Sequence, residues 1–324
     1  VWVHSEVFFS HPNISRICHK TGIWRKSFSL SELYEKLIPF LDRKWVFSLE
    51  QECSRFLDSR EAKGLKFISI FDPAYPSLLK ETFDPPLILA VRGSISVFQN
   101  KLISIVGTRK SSPISRLATR FLVARLSEEF SNLTIVSGMA LGIDRESFLA
   151  ALDLNIPVLG VLGTCLDQEY PPGNRDLYER VKREPNSSLI SEFVFPTHPA
   201  KWTFPKRNRL IAGLSSHVYI MESGKRSGTL STAMSALSEN REIHVFDHIL
   251  QYDNEGGKRL LEDGAGSISW ESLSQNKGYF YHGNEEDGRI SAKEWKLEEG
   301  KRRKWMYEKG AVPLGKGTYW MFNP

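Results

Sequence analysis

Cysteine is scarce. The chain carries three in 324 residues, Cys18, Cys53 and Cys165, with no C-x-x-C pair among them. Neither a disulfide framework nor a structural zinc site is encoded, and a reducing cytoplasm is the expected location. Long apolar runs are missing too: none approaches the roughly 18 residues of a bilayer-spanning helix. The start, VWVHSEVFFSHPNIS, lacks the basic segment, apolar stretch and small-residue cleavage site of a secretory leader, so no membrane association is expected. The signatures H-E-x-x-H, G-x-S-x-G and G-x-G-x-x-G are absent, which removes zinc-peptidase, serine-hydrolase and dinucleotide-binding readings. Eight histidines are scattered without a ligand partner at short range in sequence, so no metal, no cofactor and no catalytic residue is expected, and the reading is of a protein that is not an enzyme. Gly310 through Gly317 imitates a phosphate-binding P-loop but lacks its magnesium-binding hydroxyl and a following amphipathic helix.

The rest is ordinary globular composition, 41% hydrophobic and 25% charged, with a net charge of +5 that tilts toward anionic partners. From residue 101 to 273, short apolar runs alternate with longer amphipathic ones. LISIV (102–106), TIVS (134–137), PVLGVLG (157–163), SLISE (188–192), HVYIME (217–222) and EIHVF (242–246) are near-continuously apolar, as strands buried on both faces must be. Helices are expected to start near Pro113, Gly142, Gly173, Pro205 and Gly228. The expected fold class is α/β, with an extended Rossmann-like parallel sheet core. A small helical domain is expected over 1–71, a Pro-stiffened linker and lead-in strand over 72–100, and a short C-terminal extension over 274–324.

Chemistry is expected where strands end, because ligands of open α/β sheets bind beyond the carboxyl ends. Gly107-Thr108-Arg109-Lys110 follows the first core strand and runs into a helix, whose bare N–H groups suit a phosphate. Ser137-Gly138 opens a second Gly-rich turn that runs to Asp144. Gly163 to Asp167 and Tyr170-Pro171 form a third, where Tyr170 either stacks on a base or packs over the sheet edge. Lys206, Arg207, Asn208 and Arg209 put three cations and an amide within about one helical turn. Lys206 and Arg209 share a face while Arg207 and Asn208 point elsewhere, an arrangement able to grip more than one phosphate. Ser227, Gly228 and Thr229, after the cations Lys225 and Arg226, close the same edge. In the tail, Lys301-Arg302-Arg303-Lys304-Trp305 offers further nonspecific affinity for nucleic acid.

Taken in order, these segments resemble the DNA-processing protein A (DprA/Smf) family. The family's Gly-Ser/Thr-Arg turn is similar to Gly107-Thr108-Arg109, and its Ser-Gly-x-Ala-x-Gly-Ile-Asp to Ser137 through Asp144. Its Phe-Pro-x-Arg-Asn-Arg-x-Ile-Ala-Gly-Leu-Ser resembles Phe204 through Ser215, and its Ser-Gly-Ser/Thr-Leu-x-Thr-Ala resembles Ser227 through Ala233. Phe148 stands where the family commonly has His, Cys165 where Gly is usual, and Asp247-His248 where Pro-Gly is usual. The resemblance spans about residues 65 to 273 and implies a homodimeric protein that binds single-stranded DNA independently of sequence and brings RecA recombinase onto it during natural transformation. By matching positions, it implies phosphate contacts from Arg109, Lys206, Arg207 and Arg209.

Two alternatives remain at this point. One is a sensor of a free nucleotide, the other a Rossmann-like nucleotide phosphoribohydrolase. The hydrolase turn supplies a carboxylate where this chain has Thr232. Cations spread over separate turns suit a polymer better than one mononucleotide.

Overall fold

Alternation of apolar and amphipathic segments becomes alternation of strands and helices. The computed structural model describes residues 8–9, 11–26, 29–58, 64–195, 197–275, 278–282, 311–315 and 318–322. Three helices come first, α1 (Pro12–Thr21), α2 (Leu30–Leu37) and α3 (Arg43–Leu57). Strand β1 (Lys66–Ser69), helix α4 (Ser77–Lys80) and strand β2 (Ile88–Gly93) follow. The repeating part runs β3 (Lys101–Val106), α5 (Pro113–Glu129), β4 (Leu133–Ser137), α6 (Ile143–Asp153), β5 (Val158–Val161), α7 (Arg175–Arg183), β6 (Ser188–Ser191) and α8 (Thr203–Leu214). It continues through β7 (His217–Ile220), α9 (Gly228–Ser238), β8 (Glu242–Phe246), α10 (Glu255–Glu262) and β9 (Gly266–Ile268). Helix α11 (Trp270–Ser274) precedes β10 (Gly278–His282), β11 (Ala311–Gly315) and β12 (Thr318–Phe322).

Nine strands form one sheet in the order β1-β2-β6-β5-β4-β3-β7-β8-β9. From β6 to β9 all neighbours are parallel, while β2 pairs antiparallel with β6 and β1 with β2. The six sequence-predicted strands are β3 through β8, and every residue of β4, β5 and β6 is buried. The sheet begins earlier than the expected core boundary at 101. Ile88 to Val91 is buried and Ala90 to Gly93 pairs with β6, so the lead-in strand is part of the sheet. Strand order reverses at β3: β4, β5 and β6 lie to one side of it and β7, β8 and β9 to the other. Such a reversal opens a crevice between the loops leaving β3 and β7.

Ends of elements follow from local chemistry. Ser112, Ser227 and Ser269 cap α5, α9 and α11 by accepting from Ser115, Thr229 and Ser272 N–H groups, the ordinary N-cap arrangement. Ser104, buried in β3, donates to the Ile211 carbonyl and shares a hydrogen bond with the Ser215 hydroxyl, fixing α8 against the sheet. The N-terminal helices share the same hydrophobic cluster and meet the rest through Phe56 on Phe195 and His19 on Asp84. Phe148 is fully buried in α6, a packing role for which complete burial is worth about 1.5–3 kcal/mol.

Within the expected C-terminal extension, residues 278–282, 311–315 and 318–322 pair as strands. Strands β10, β12 and β11 form a three-stranded antiparallel sheet, and Trp320 packs edge-on against Trp270 at 4.8 Å. Of the P-loop look-alike, Ala311 to Gly315 form β11, while Gly310, Lys316 and Gly317 lie outside the described residues. The basic run Lys301 to Trp305 lies outside the described residues. Pairing of β7 with β8 sets His217 opposite Glu242 and Tyr219 opposite His244, so two histidines 27 positions apart become neighbours. No described helix is long and apolar enough to cross a membrane.

Candidate functional site

At the reversal of strand order lies an open cleft of about 840 Å³. Its walls are the loop after β3, the loop after β7, the first turns of α8 and α9, and Tyr252 and Asp253 from the loop after β8. The two strand-end loops are tied to each other. Thr108 N–H donates to the Glu222 carbonyl at 2.8 Å, and the buried Glu222 carboxylate accepts from Ser112 N–H and its hydroxyl at 2.9 and 2.6 Å. Asn254 accepts from Ser223 N–H at 2.9 Å, which brings Tyr252 and Asp253 to the rim. Gly142 has a φ of +77°, and a Cβ there would lie 2.3 Å from the Thr108 carbonyl oxygen, so only glycine lets α6 start this close to the β3 loop.

Cations dominate the lining. Arg109, Lys110, Arg207, Lys225 and Arg226 face two carboxylates, Asp144 and Asp253. Arg109 and Lys110 are exposed, and the Arg109 guanidinium rests over the Phe204 ring at 5.6 Å. Lys225 is 3.5 Å from Glu255, both exposed. Among the described residues, no carboxylate lies within ion-pair distance of Arg109, Lys110 or Arg226. The helix α9 N-terminus, with Ser227, Gly228 and Thr229, completes the edge and adds a partial positive charge.

The basic cluster of α8 is used differently from the sequence expectation. Arg207 is 5% exposed, and its guanidinium donates to the carbonyls of Gly138 and Val161 and to Asn208. Asn208 in turn donates to the Gly228 carbonyl at 3.2 Å, bracing α8 against the start of α9. Arg209 donates to the Asp84 carbonyl and to Glu192, and Lys206 lies 3.3 Å from Glu192 and over the Phe193 ring. Lys206 and Arg209 do share a face, but that face meets a buried carboxylate and lies outside the cleft lining. Arg207 and Arg209, expected as phosphate contacts, thus have much of their donor capacity engaged inside the protein, although Arg207 still lines the cleft and Arg209 Nε makes no hydrogen bond. Ser137 donates to the Ile105 carbonyl, and Gly138 N–H donates to Asp144, so neither reaches the cleft. Gly107, Thr108, Arg109, Lys110, Asn208, Ser227, Gly228 and Thr229 all line it.

Gly138 joins two opposite charges without their touching. Its N–H donates to the Asp144 carboxylate at 3.0 Å while its carbonyl accepts from Arg207 at 2.6 Å. A Cβ on Gly138 would sit 2.6 Å from the guanidinium, so the residue must be glycine for Arg207 to lie flat on the turn. Burial pushes the Asp144 carboxyl above its ordinary range, opposed by Arg207 and the two amides, and it pushes Arg207 down, opposed by Asp144. Glu192 is raised by burial in the same way, opposed by Arg209 and Lys206.

Sequence reasoning missed several contributors. Met139 has a φ of +55°, a conformation rare outside glycine, and Asn174 holds the turn by donating to the Met139 and Ala140 carbonyls at 2.8 and 3.0 Å. Nothing in the sequence signals that Asn174 reaches back 35 positions. Lys225 and Arg226 were legible as the cations of their turn, whereas Tyr252, 66% exposed at the rim, carried no sequence signal. Tyr170 packs on Phe204 at 5.5 Å, the structural alternative for that aromatic.

The burial of Glu192 gives a direct test of the reassignment of Arg209. Arg209→Ala is expected to cost about 3 kcal/mol of stability by leaving Glu192 short of charge compensation, while the salt dependence of nucleic-acid binding stays unchanged. Thermal melts and a salt titration check both halves; a lower salt slope would restore Arg209 to the phosphate-binding set.

Comparison with known proteins agrees with this fold. The chain is 39% identical over 228 residues to Protein Smf of Synechocystis, covering 69% of this chain and 55% of that protein. It is 33% identical over 208 residues to DNA processing protein DprA of Streptococcus pneumoniae, covering 64% of this chain and 72% of that protein. The solved structure of the Streptococcus pneumoniae protein superposes with a TM-score of 0.62 at 28% identity, over 78% of this chain and 83% of that one. A structure of DNA processing protein A from Helicobacter pylori, described as showing its single-stranded DNA binding mode, superposes with a TM-score of 0.56 at 28% identity, over 65% of this chain and 93% of that one. A sequence model of DNA recombination-mediator protein A matches residues 66–276. That match opens at β1 and runs past α11, taking in every strand of the nine-stranded sheet, and the chain belongs to the DNA recombination-mediator protein A family.

Proposed function

We propose that the cleft holds the backbone of single-stranded DNA without reading its sequence, as part of DNA processing in recombination or transformation. The observation that carries this is the set of three exposed cations without ion-pair partners among the described residues, Arg109, Lys110 and Arg226, brought to one edge beside the α9 N-terminus. Phosphate contacts position a strand and carry no base information, and an exposed aromatic such as Tyr252 stacks on any base. The relatives' names and the described binding mode of the Helicobacter pylori protein support the same ligand class. Delivery of the strand to RecA recombinase, by a homodimer, extends the proposal on the resemblance alone.

Binding of a labelled oligothymidine across a salt series tests it, with duplex of equal length and a mononucleotide as competitors. Three phosphate contacts predict a log–log salt slope of about −2 for a single strand, poorly competed by the mononucleotide. A flat response, or displacement by mononucleotide at low concentration, would transfer the cleft to a small nucleotide ligand. For hydrolysis, the position expected to bear a carboxylate is the 2% exposed Thr232.

A further inference from the structure

At the other end of the sheet from the cleft, where β7 and β8 begin, three potential metal ligands converge. His217 Nδ1 lies 3.4 Å from His244 Nε2 and 3.3 Å from Glu242 Oε2, and Glu242 Oε2 lies 3.6 Å from His244 Nε2. We propose that His217, Glu242 and His244 bind one divalent transition-metal ion of the zinc class.

The argument rests on the triangle. A tetrahedral ion with bonds of about 2.1 Å places its ligand atoms about 3.4 Å apart, which is the spacing observed. Each ring nitrogen carries at most one proton, and a hydrogen bond serves one edge of the triangle, whereas a cation at its centre satisfies all three atoms together. Strand pairing makes the convergence. His217 faces Glu242 across the parallel ladder, and His244 follows two residues later on the same face of β8.

The ring positions are held before any ion arrives. His244 stacks on Tyr219 at 4.8 Å and 18°, and on His217 at 5.6 Å and 24°. A Cβ on Gly266 of β9 would lie 2.8 Å from His244 Nδ1, so glycine there leaves the imidazole its place. Side-chain exposures of 26%, 69% and 27% for His217, Glu242 and His244 leave a path for the ion and room for water as a fourth ligand. Two imidazoles and one carboxylate suit zinc and its neighbours better than magnesium or calcium, which prefer all-oxygen shells. Cys18, Cys53 and Cys165 are buried, so no accessible thiolate competes for the metal. Binding would clip β7 to β8 and stabilise the fold by mass action, independently of the cleft.

The full chain, stripped with a chelator, is titrated with zinc by calorimetry and with cobalt(II) by visible absorption. One saturable ion per chain is expected, accompanied by a rise in Tm. Both effects should vanish in His217→Ala and His244→Ala and weaken at least about tenfold in Glu242→Gln. Circular dichroism reports whether each variant folds; Glu242→Gln changes a mostly exposed side chain and carries the test if a histidine variant does not fold. Absence of saturable binding would overturn the proposal. So would zinc affinity and a cobalt spectrum unchanged in folded variants, which would place the ion on other histidines.

Discussion

Replacing Arg109, Lys110 and Arg226 together by alanine is expected to weaken single-stranded DNA binding about a thousandfold at low salt and to bring the salt slope close to zero. Each cation neutralises one phosphate, and each contact contributes about 0.7 to the slope for a single strand and about a tenfold factor in affinity. All three side chains are exposed, so Tm should stay within about 2 °C of the parent, in keeping with the small effects of surface substitutions. The loss should be the same for oligothymidine and for mixed sequences, because backbone contacts do not discriminate bases. Fluorescence anisotropy at several salt concentrations measures both quantities. Unchanged affinity in the triple variant would remove the cleft from the DNA path.

Arg207→Ala is expected to act through the fold and not through a phosphate. It strips the counter-charge from Asp144, 5% exposed, and leaves the carbonyls of Gly138 and Val161 without their donor. Breaking such a buried charge arrangement by removing one side costs about 3–5 kcal/mol. For a chain of this size the corresponding fall in Tm is about 6 °C. Lysine should not rescue it, since one ammonium cannot replace a planar guanidinium that donates to Gly138, Val161 and Asn208 together. Gly138→Ala should reproduce much of the defect, because its Cβ would displace the same guanidinium. Calorimetry on Arg207→Ala, Arg207→Lys and Gly138→Ala decides the matter. A folded Arg207→Ala variant with parental Tm and weakened DNA binding would instead make Arg207 a direct ligand contact.

These two predictions separate arginines that look alike in sequence. Arg109 and Arg207 both follow or join a Gly-bearing turn at the strand ends, yet one is exposed over Phe204 and the other is enclosed by Gly138 and Val161. The i, i+3 relation correctly put Lys206 and Arg209 on one face of α8 and Arg207 on another. What each face meets depends on Glu192 from the end of β6 and on Asp84 from the segment before β2. Neither partner is near in sequence, so no local pattern could show that these cations were already neutralised.

The strands β3 to β8 were legible because parallel strands covered on both faces must be continuously apolar, and that requirement is local. The glycine turns at their ends were legible for the same reason: close backbone approach and positive φ exclude other residues at that position, whatever lies around it. Strand β1, four residues long with one exposed end, and the tail strands β10 to β12 leave too short a pattern. Their existence comes from pairing with distant partners, β2 in one case and one another in the other. The convergence of His217 and His244 has the same origin, a ladder between two strands separated by all of α9. Local chemistry thus set which segments become strands, helices and glycine-bearing turns. Which charged and ligating side chains remain free was decided only when the sheet closed, because burial and opposite charge act through space and not along the chain.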